Sequence, residues 1–198
     1  LVGSEMCIRD SYTPATIDVL AAGTQTSIQD YPGRIGYWDI GVPPSGPFDS
    51  LSFRLGNRML GNDARCAGLE FTLNGPTLRF NQATMIVLTG ADMEAQLDGD
   101  TVPFWQTVAV QAGQTLKLGK VNGAGARSYC LVQGGLQCPD YLGSKSTFSL
   151  GQFGGHAGRL LRPGDVLKLT HAQPANAAQL VESLRPQIGM DWQLHVIY

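Results

Sequence analysis

Four prolines and four glycines fall within the stretch Gln29 to Asp49, QDYPGRIGYWDIGVPPSGPFD, and no regular strand or helix can run through it. Pro32, Pro43, Pro44 and Pro47 each fix φ and remove an amide donor, while Gly33, Gly36, Gly41 and Gly46 open backbone regions closed to other residues. The chain must pass this segment as a stiffened loop. Asp30, Tyr31, Arg34, Tyr37, Trp38, Asp39, Ser45 and Asp49 lie on it, so carboxylates, phenols, a guanidinium and a hydroxyl share one rigid support. A rigid surface turn and a functional site are both consistent with that pattern.

The 198 residues suffice for one ordinary domain with a real core. Charged residues make up 15%, against roughly 25% in typical soluble domains, which points to faces that are covered. A formal net charge of −2 without a basic cluster disfavours nucleic acid as a partner. The longest apolar runs, Met85 to Leu88 and Ser128 to Val132, have strand length and no membrane span is expected. Cys7, Cys66, Cys130 and Cys138 show no paired spacing and no N-x-S/T acceptor occurs, so a reduced, cytoplasmic setting is expected, with Cys130 as a small buried hydrophobe.

The leader LVGSEMCIRDS lacks periodicity and the layout of a signal peptide. Residues 1–15 are expected to be non-native or disordered, Met6 to Ser11 resembling translated adapter read-through, and the folded unit is placed at 16–198. Trp192 to Tyr198 reads as a strand that stops without a cap, which suggests a truncated C-terminus.

Short β-like runs separated by glycine dominate: Thr16 to Leu20, Leu69 to Leu73, Thr77 to Phe80, Thr84 to Leu88, Ala95 to Leu97 and Thr107 to Val110. The class is therefore all-β, β-rich with one or two short helices, in a turn-dense barrel or sandwich. Ala112 to Leu118 and Arg162 to Leu169 each place a glycine turn before alternating Leu and Lys, the pattern of a half-buried strand. One helix is predicted from an Asp49 or Ser50 cap, with Leu51, Leu55 and Met59 along one face and Gly61 as its exit. Its free amides would face whatever the loop holds. A second helical stretch, Asn176 to Leu184, reads as a connector ending before Pro186.

Several chemistries are disfavoured. Pro43 and Pro47 occupy the glycine places of a nucleophile elbow around Ser45. His156, His171 and His195 lack metal-ligand spacing, so no metal is expected. Gly123-Ala124-Gly125 and Gly143-Ser144-Lys145-Ser146 each miss a glycine required by the nucleotide-binding fingerprints. Two clusters remain. Alternation puts Glu70 and Thr72 opposite Leu69, Phe71 and Leu73 before a tight turn, making Glu70 a base, an anchor or a water-facing edge residue. Tyr141 to Phe148 and Gly151 to Arg159, carrying Lys145 and His156, are glycine-rich loops whose successive amides could form an anion nest or remain solvated.

The Gln29 to Asp49 run, Leu69 to Phe80, Leu88 to Asp92, Val132 to Gly135, Leu142 to Thr147 and Arg159 to Asp165 together resemble the biotin-dependent carboxyltransferase family also called allophanate hydrolase subunit 2. Asp30-Tyr31-Pro32-Gly33-Arg34, Tyr37-Trp38 and Gly151 to His156 look closest to the carboxyltransferase region of urea carboxylase. The resemblance implies a cyclophilin-like β-barrel and an active site completed by a second carboxyltransferase half. It also implies a biotin carboxylase domain and a biotin carrier domain as partners, with carboxybiotin giving its carboxyl to urea to form allophanate. Biotin would be carried on another domain, and this piece alone is expected to be inactive.

That chemistry needs a dry pocket, donors aimed at the developing oxyanion and acceptors for urea N–H groups. Roles follow from the loop's residue types. Asp30, Tyr37, Ser45 and Asp49 are the catalytic candidates, the carboxylates accepting and the hydroxyls donating. Gly46, Ser50, Asn57, Glu70, Lys145 and His156 are the substrate-binding candidates, the first two through backbone amides. The family resemblance leaves two other functions open: a subunit of 5-oxoprolinase, and a regulatory module antagonising a kinase inhibitor by protein contact.

Overall fold

Alternation builds most of this fold. The computed structural model describes residues 15–170, 180–191 and 193–197. Its strands are β1 (Thr16–Ala21), β2 (Gln25–Gln29), β3 (Gly68–Thr72), β4 (Thr77–Phe80), β5 (Thr84–Gly90), β6 (Gln96–Leu97), β7 (Asp100–Thr101), β8 (Thr107–Val110), β9 (Thr115–Lys117), β10 (Arg127–Val132), β11 (Leu136–Gln137) and β12 (Val166–Leu169). They form two antiparallel sheets, β11-β12-β1-β4-β9-β6-β7 and β2-β3-β10-β5-β8. The all-β class holds, and among the described residues no ladder joins the two sheets into a closed barrel.

In the seven-stranded sheet one side chain in two turns inward. Leu167 and Leu169 are buried while Val166 and Lys168 are exposed, and Leu116 is buried between Thr115 and Lys117. The five-stranded sheet is covered on both faces, so β5 and β10 read as near-continuous apolar runs. On its inner face Ile28 pairs with Leu69, Leu69 with Cys130 and Cys130 with Leu88. These join Ile17, Val19, Leu78 and Phe80 of the other sheet in one core. Cys130 is wholly buried and its thiol is pushed up to about 12 by that burial, the small-hydrophobe role expected of it.

The outer face of the five-stranded sheet carries α1 (Ser50–Met59), packed on β5 and β10. The predicted helix is present, with Asp49 as its N-cap and Gly61 at φ 69° beyond its end. Its buried stripe differs from the expected one. Leu51 is exposed, and Ser52, Phe53, Gly56, Asn57 and Met59 face the sheet. Leu spacing misleads here because a small residue, Gly56, is what lets the helix approach: a Cβ there would stand 2.7 Å from Leu131 Cδ2 and 3.1 Å from Thr89 Cγ2.

Four further expectations concern the turn after Leu73 and the two ends of the chain. The tight turn expected after Leu73 is present, with Leu73 at φ 60° and its side chain exposed, and it is a corner at which the chain passes from one sheet into the other. Residues 193–197 carry no strand, and Trp192 and Tyr198 lie outside the described residues. Most of the Asn176 to Leu184 helix also lies outside them; within the described part, Glu182–Leu184 is a single 3-10 turn. Of the leader, residues 1–15, all but Ala15 lie outside as well; Ala15 is buried and its carbonyl accepts from the Leu169 amide.

The substitution Gly56→Ala separates two effects of opposite sign. Alanine gains about 1 kcal/mol of helix propensity, whereas overpacking a buried contact costs about 1–3 kcal/mol. Leu131 is 0% exposed and has no room to swing, so net destabilisation is expected as a lower urea midpoint.

Candidate functional site

The proline-glycine segment leaves β2 and closes on itself as an Ω-shaped loop. Its neck is the Arg34 amide donating to the Pro44 carbonyl at 2.6 Å. Gly33, at φ 85°, faces the same carbonyl, and a Cβ there would come within 2.5 Å of it, so only glycine fits. Trp38–Ile40 form a 3-10 turn at the tip with Trp38 70% and Ile40 73% exposed. Tyr37 is half-buried beside it. Ser45, half-buried, takes the left-handed φ of 57° just before Gly46.

From Gly46 the backbone runs along the outer face of the five-stranded sheet into α1, and side chains of three neighbouring strands take up its amides. The Gly46 amide donates to Gln29 Oε1 at 3.1 Å, the Phe48 amide to Glu70 Oε2 at 2.7 Å and the Asp49 amide to the Tyr129 hydroxyl at 2.7 Å. Pro47 has no amide to place. Tyr129 in turn donates to Glu70 Oε2 at 3.0 Å. Glu70 thus works as an anchor to the loop rather than a water-facing edge residue, with burial raising its carboxyl above the usual range and the Phe48 amide, Tyr129 and Arg127 opposing. Burial likewise raises the Tyr129 phenol, the Glu70 charge adding to it.

Asp49 turns its carboxylate back onto α1, accepting from the Ser52 amide at 3.0 Å and from the Ser52 hydroxyl. Of the two amides expected to serve as donors, that of Gly46 is engaged by Gln29, whereas the Ser50 amide meets no acceptor among the described residues. Asn57 is wholly buried lower on α1, where it donates to the Cys66 carbonyl and accepts from Asn62.

The glycine-rich loops gather an anion, and it is the chain's own. Asp30 accepts from the Ser144 and Ser146 hydroxyls at 2.6 and 2.5 Å and from the Lys145 amide at 2.9 Å. Arg34, 0% exposed, donates to the carbonyls of Tyr141 and Ser146 at 3.0 Å each and lies over the Phe153 ring at 4.8 Å. Burial lowers its pKa, with Asp30 and Asp140 opposing. Loop and β2 are further stitched by the Thr147 amide to Ile28 and the Leu161 amide to Thr26, which covers the free edge of β2.

A third cluster holds His156. Its Nε2 stands 3.3 Å from Asp165 Oδ1, and Arg159 grips both oxygens of that carboxylate at 2.8 Å. The Arg159 bonds hold the Asp165 carboxyl down at about 2.

The ten predicted residues therefore fall into separate groups. Ser45, Gly46, Asp49, Ser50 and Glu70 share the loop exit; Asp30 and Lys145 share the anion hub; Asn57, Tyr37 and His156 sit apart. Gln29, Arg34, Tyr129, Ser144 and Ser146 organise these groups and were not among the candidates. Tyr129 in particular reads as one more apolar residue of a buried strand, since its partner Glu70 depends on strand register. None of the ten lines the three cavities found, of about 440, 370 and 320 Å³, the first two around Trp105 and Arg185 and the third around Thr24 and Arg162. Among the described residues no His/Cys/Asp/Glu group could hold a metal, and no helix is long and apolar enough to cross a membrane.

The Asp165 cluster yields a pH test. Its folded pKa lies below the unfolded value of 3.8, so its stabilisation is present above that pH and lost as pH falls towards about 2. Asp165→Asn is expected to cost about 2 kcal/mol at neutral pH. The gap from the parent protein in urea melts should close across that acid window.

Comparison with known proteins places these clusters in a family. Residues 40–198 match the family model described as carboxyltransferase domain, subdomain A and B. Urea amidolyase of Saccharomyces cerevisiae is 46% identical over 192 residues, covering 93% of this chain and 10% of that protein. The crystal structure of the Kluyveromyces lactis urea carboxylase superposes with a TM-score of 0.86 at 43% identity, covering 91% of this chain and 17% of that one. A 5-oxoprolinase subunit of Escherichia coli is 38% identical over 153 residues, covering 77% of this chain and 49% of that protein. The chain thus spans about a tenth of the yeast relative and about half of the bacterial one. With the greater part of its length matched, this chain belongs to the carboxyltransferase domain family, subdomains A and B.

Proposed function

We propose that this chain forms one wall of a carboxyltransferase site at which a carboxyl group passes from carboxybiotin to urea, giving allophanate. The observation that carries this reading is the extent of likeness: similarity to urea amidolyase runs over 93% of the chain, against 77% for the 5-oxoprolinase subunit, and at higher identity. Carboxybiotin enters such a site as a substrate carried by a partner domain, and the second carboxyltransferase half supplies the opposite wall. The biotin carboxylase and carrier domains belong to the same assembly.

The loop exit suits that role. The Ser45 hydroxyl and the Ser50 amide remain as donors for a urea or ureido oxygen, and the positive end of α1 favours developing negative charge. Asp49 acts mainly by fixing that helix start, while Asp30 acts through the loops it binds. A second reading, a subunit of 5-oxoprolinase, is favoured by the match to about half the length of the Escherichia coli protein.

A chimaera tests both. With this chain in place of the matching region of the yeast urea amidolyase, urea-dependent ATP consumption and allophanate formation are expected, and none from the chain alone. Activity towards 5-oxoproline with none towards urea would move the assignment to the second reading. Within the chimaera, Ser45→Ala is expected to lower kcat/KM for urea by roughly 10- to 100-fold. Asp49→Ala should cost about 1 kcal/mol of stability through the lost cap and lower kcat as well; unaltered kinetics would remove either residue from the site.

A further inference from the structure

We infer that Glu70 and Tyr129 are positioning residues for the transfer chemistry, acting through the amides of Phe48 and Asp49 to hold the segment from Ser45 to Ser50 in one conformation. This rests on reading that segment as part of the carboxyl-transfer site.

The strand register places the pair. Glu70 on β3 stands directly opposite Tyr129 on β10, so phenol and carboxylate meet without either chain having to reach. Ser27 opposes Glu70 on the other side and Gln29 lies two residues further along β2, so the residues that meet the loop share one face. Between Gly46 and Asp49 every amide the chain possesses is met by one of these side chains. A segment that prolines keep out of the ladder is thereby fixed by sheet residues instead of by sheet hydrogen bonds.

The arrangement costs the fold something a purely structural device would avoid. Towards α1 the pair meets apolar groups: Leu131 lies two residues along β10, and the Phe53 ring meets Tyr129 edge-on at 5.6 Å. Phenylalanine and an aliphatic residue would pack there without a buried ionisable group. The Glu70 carboxyl is raised by burial, so its ionised form opposes folding even while it is the stronger acceptor for Phe48 and Tyr129. The groups facing it are Arg127, whose Nε lies 3.9 Å from Oε1, Tyr129 on the same strand, and Asp49 at the helix start. Lowering the pH through the raised Glu70 range therefore slackens the hold on the loop while favouring the folded state.

That opposition gives the test its power. Glu70→Gln and Tyr129→Phe each remove a charge or a single oxygen, and either one suffices if the other fails to fold. In hydrogen–deuterium exchange of the chain, both are expected to speed exchange at Phe48 and Asp49 by about tenfold or more, with β4 and β9 unchanged. Glu70→Gln should keep or raise the urea midpoint at neutral pH, its advantage over the parent growing as pH rises above the ordinary value of 4.5. In the carboxylase chimaera kcat should fall on the order of 10- to 100-fold with little change in KM for urea. The acid limb of the parent pH profile should be absent from Glu70→Gln. Unchanged exchange in both variants overturns the inference, and so does faster exchange with kcat, KM and pH profile unaltered. If the parent chimaera turns over 5-oxoproline and not urea, the substrate reading fails. The same kcat criterion on 5-oxoproline then decides the role of the pair.

Discussion

Backbone amides kept out of a ladder still need acceptors, and the stretch from Gly46 to Asp49 finds them on side chains of a sheet it never joins. Each such bond contributes about 0.5–1.5 kcal/mol net, and three in four residues favour one conformation of the loop exit. Gln29, Glu70 and Tyr129 supply those acceptors together, each from a different strand. The start of α1 and the exit of the Ω-loop are held by those three bonds.

The five-stranded sheet is the platform for this because both of its faces are covered. Its inner face, through Leu69, Cys130 and Leu88, belongs to the core shared with the seven-stranded sheet. Its outer face is divided between the apolar seat of α1 and the polar row that meets the loop. Gly56 and Gly68 lower the helix onto that seat, where Leu131 fills the space that their missing side chains leave. The free edge of β2 is closed by the segment running from Ser146 to Leu161, so the sheet presents no bare strand at the site. Two loops of unusual composition are thus held by one small sheet, one along its face and one along its edge.

Those loops commit most of their polar groups to holding the fold. The Asp30 carboxylate is surrounded by the hydroxyls and amide of Ser144 to Ser146, and the amides that glycine-rich sequence offers to an anion are closed around it. Arg34 threads beneath the same loop, held by carbonyls and the Phe153 ring, with no ion pair among the described residues. Among the described residues the Ser45 hydroxyl and the Ser50 amide have no hydrogen-bond partner, and the tip exposes Trp38 and Ile40. Under the proposed reading this surface is one wall of a site whose other wall a second domain supplies.

Local signals in the sequence determined the strands and the helix. Alternation in Val166 to Leu169, the apolar run of β10, the Asp49 cap and the Pro and Gly clusters act over a few residues, and each produced the element expected of it. They did not reveal that β3 and β4 part into different sheets, that Gly56 rather than Leu51 faces the core, or that Glu70 stands beside Tyr129. Those facts depend on register and packing between segments far apart in the chain, where a shift of one residue reverses the face presented. The residue types at the site were therefore legible in the sequence. Which of them hold the loop, and which keep a polar group without an internal partner, was decided only when the sheet set its register.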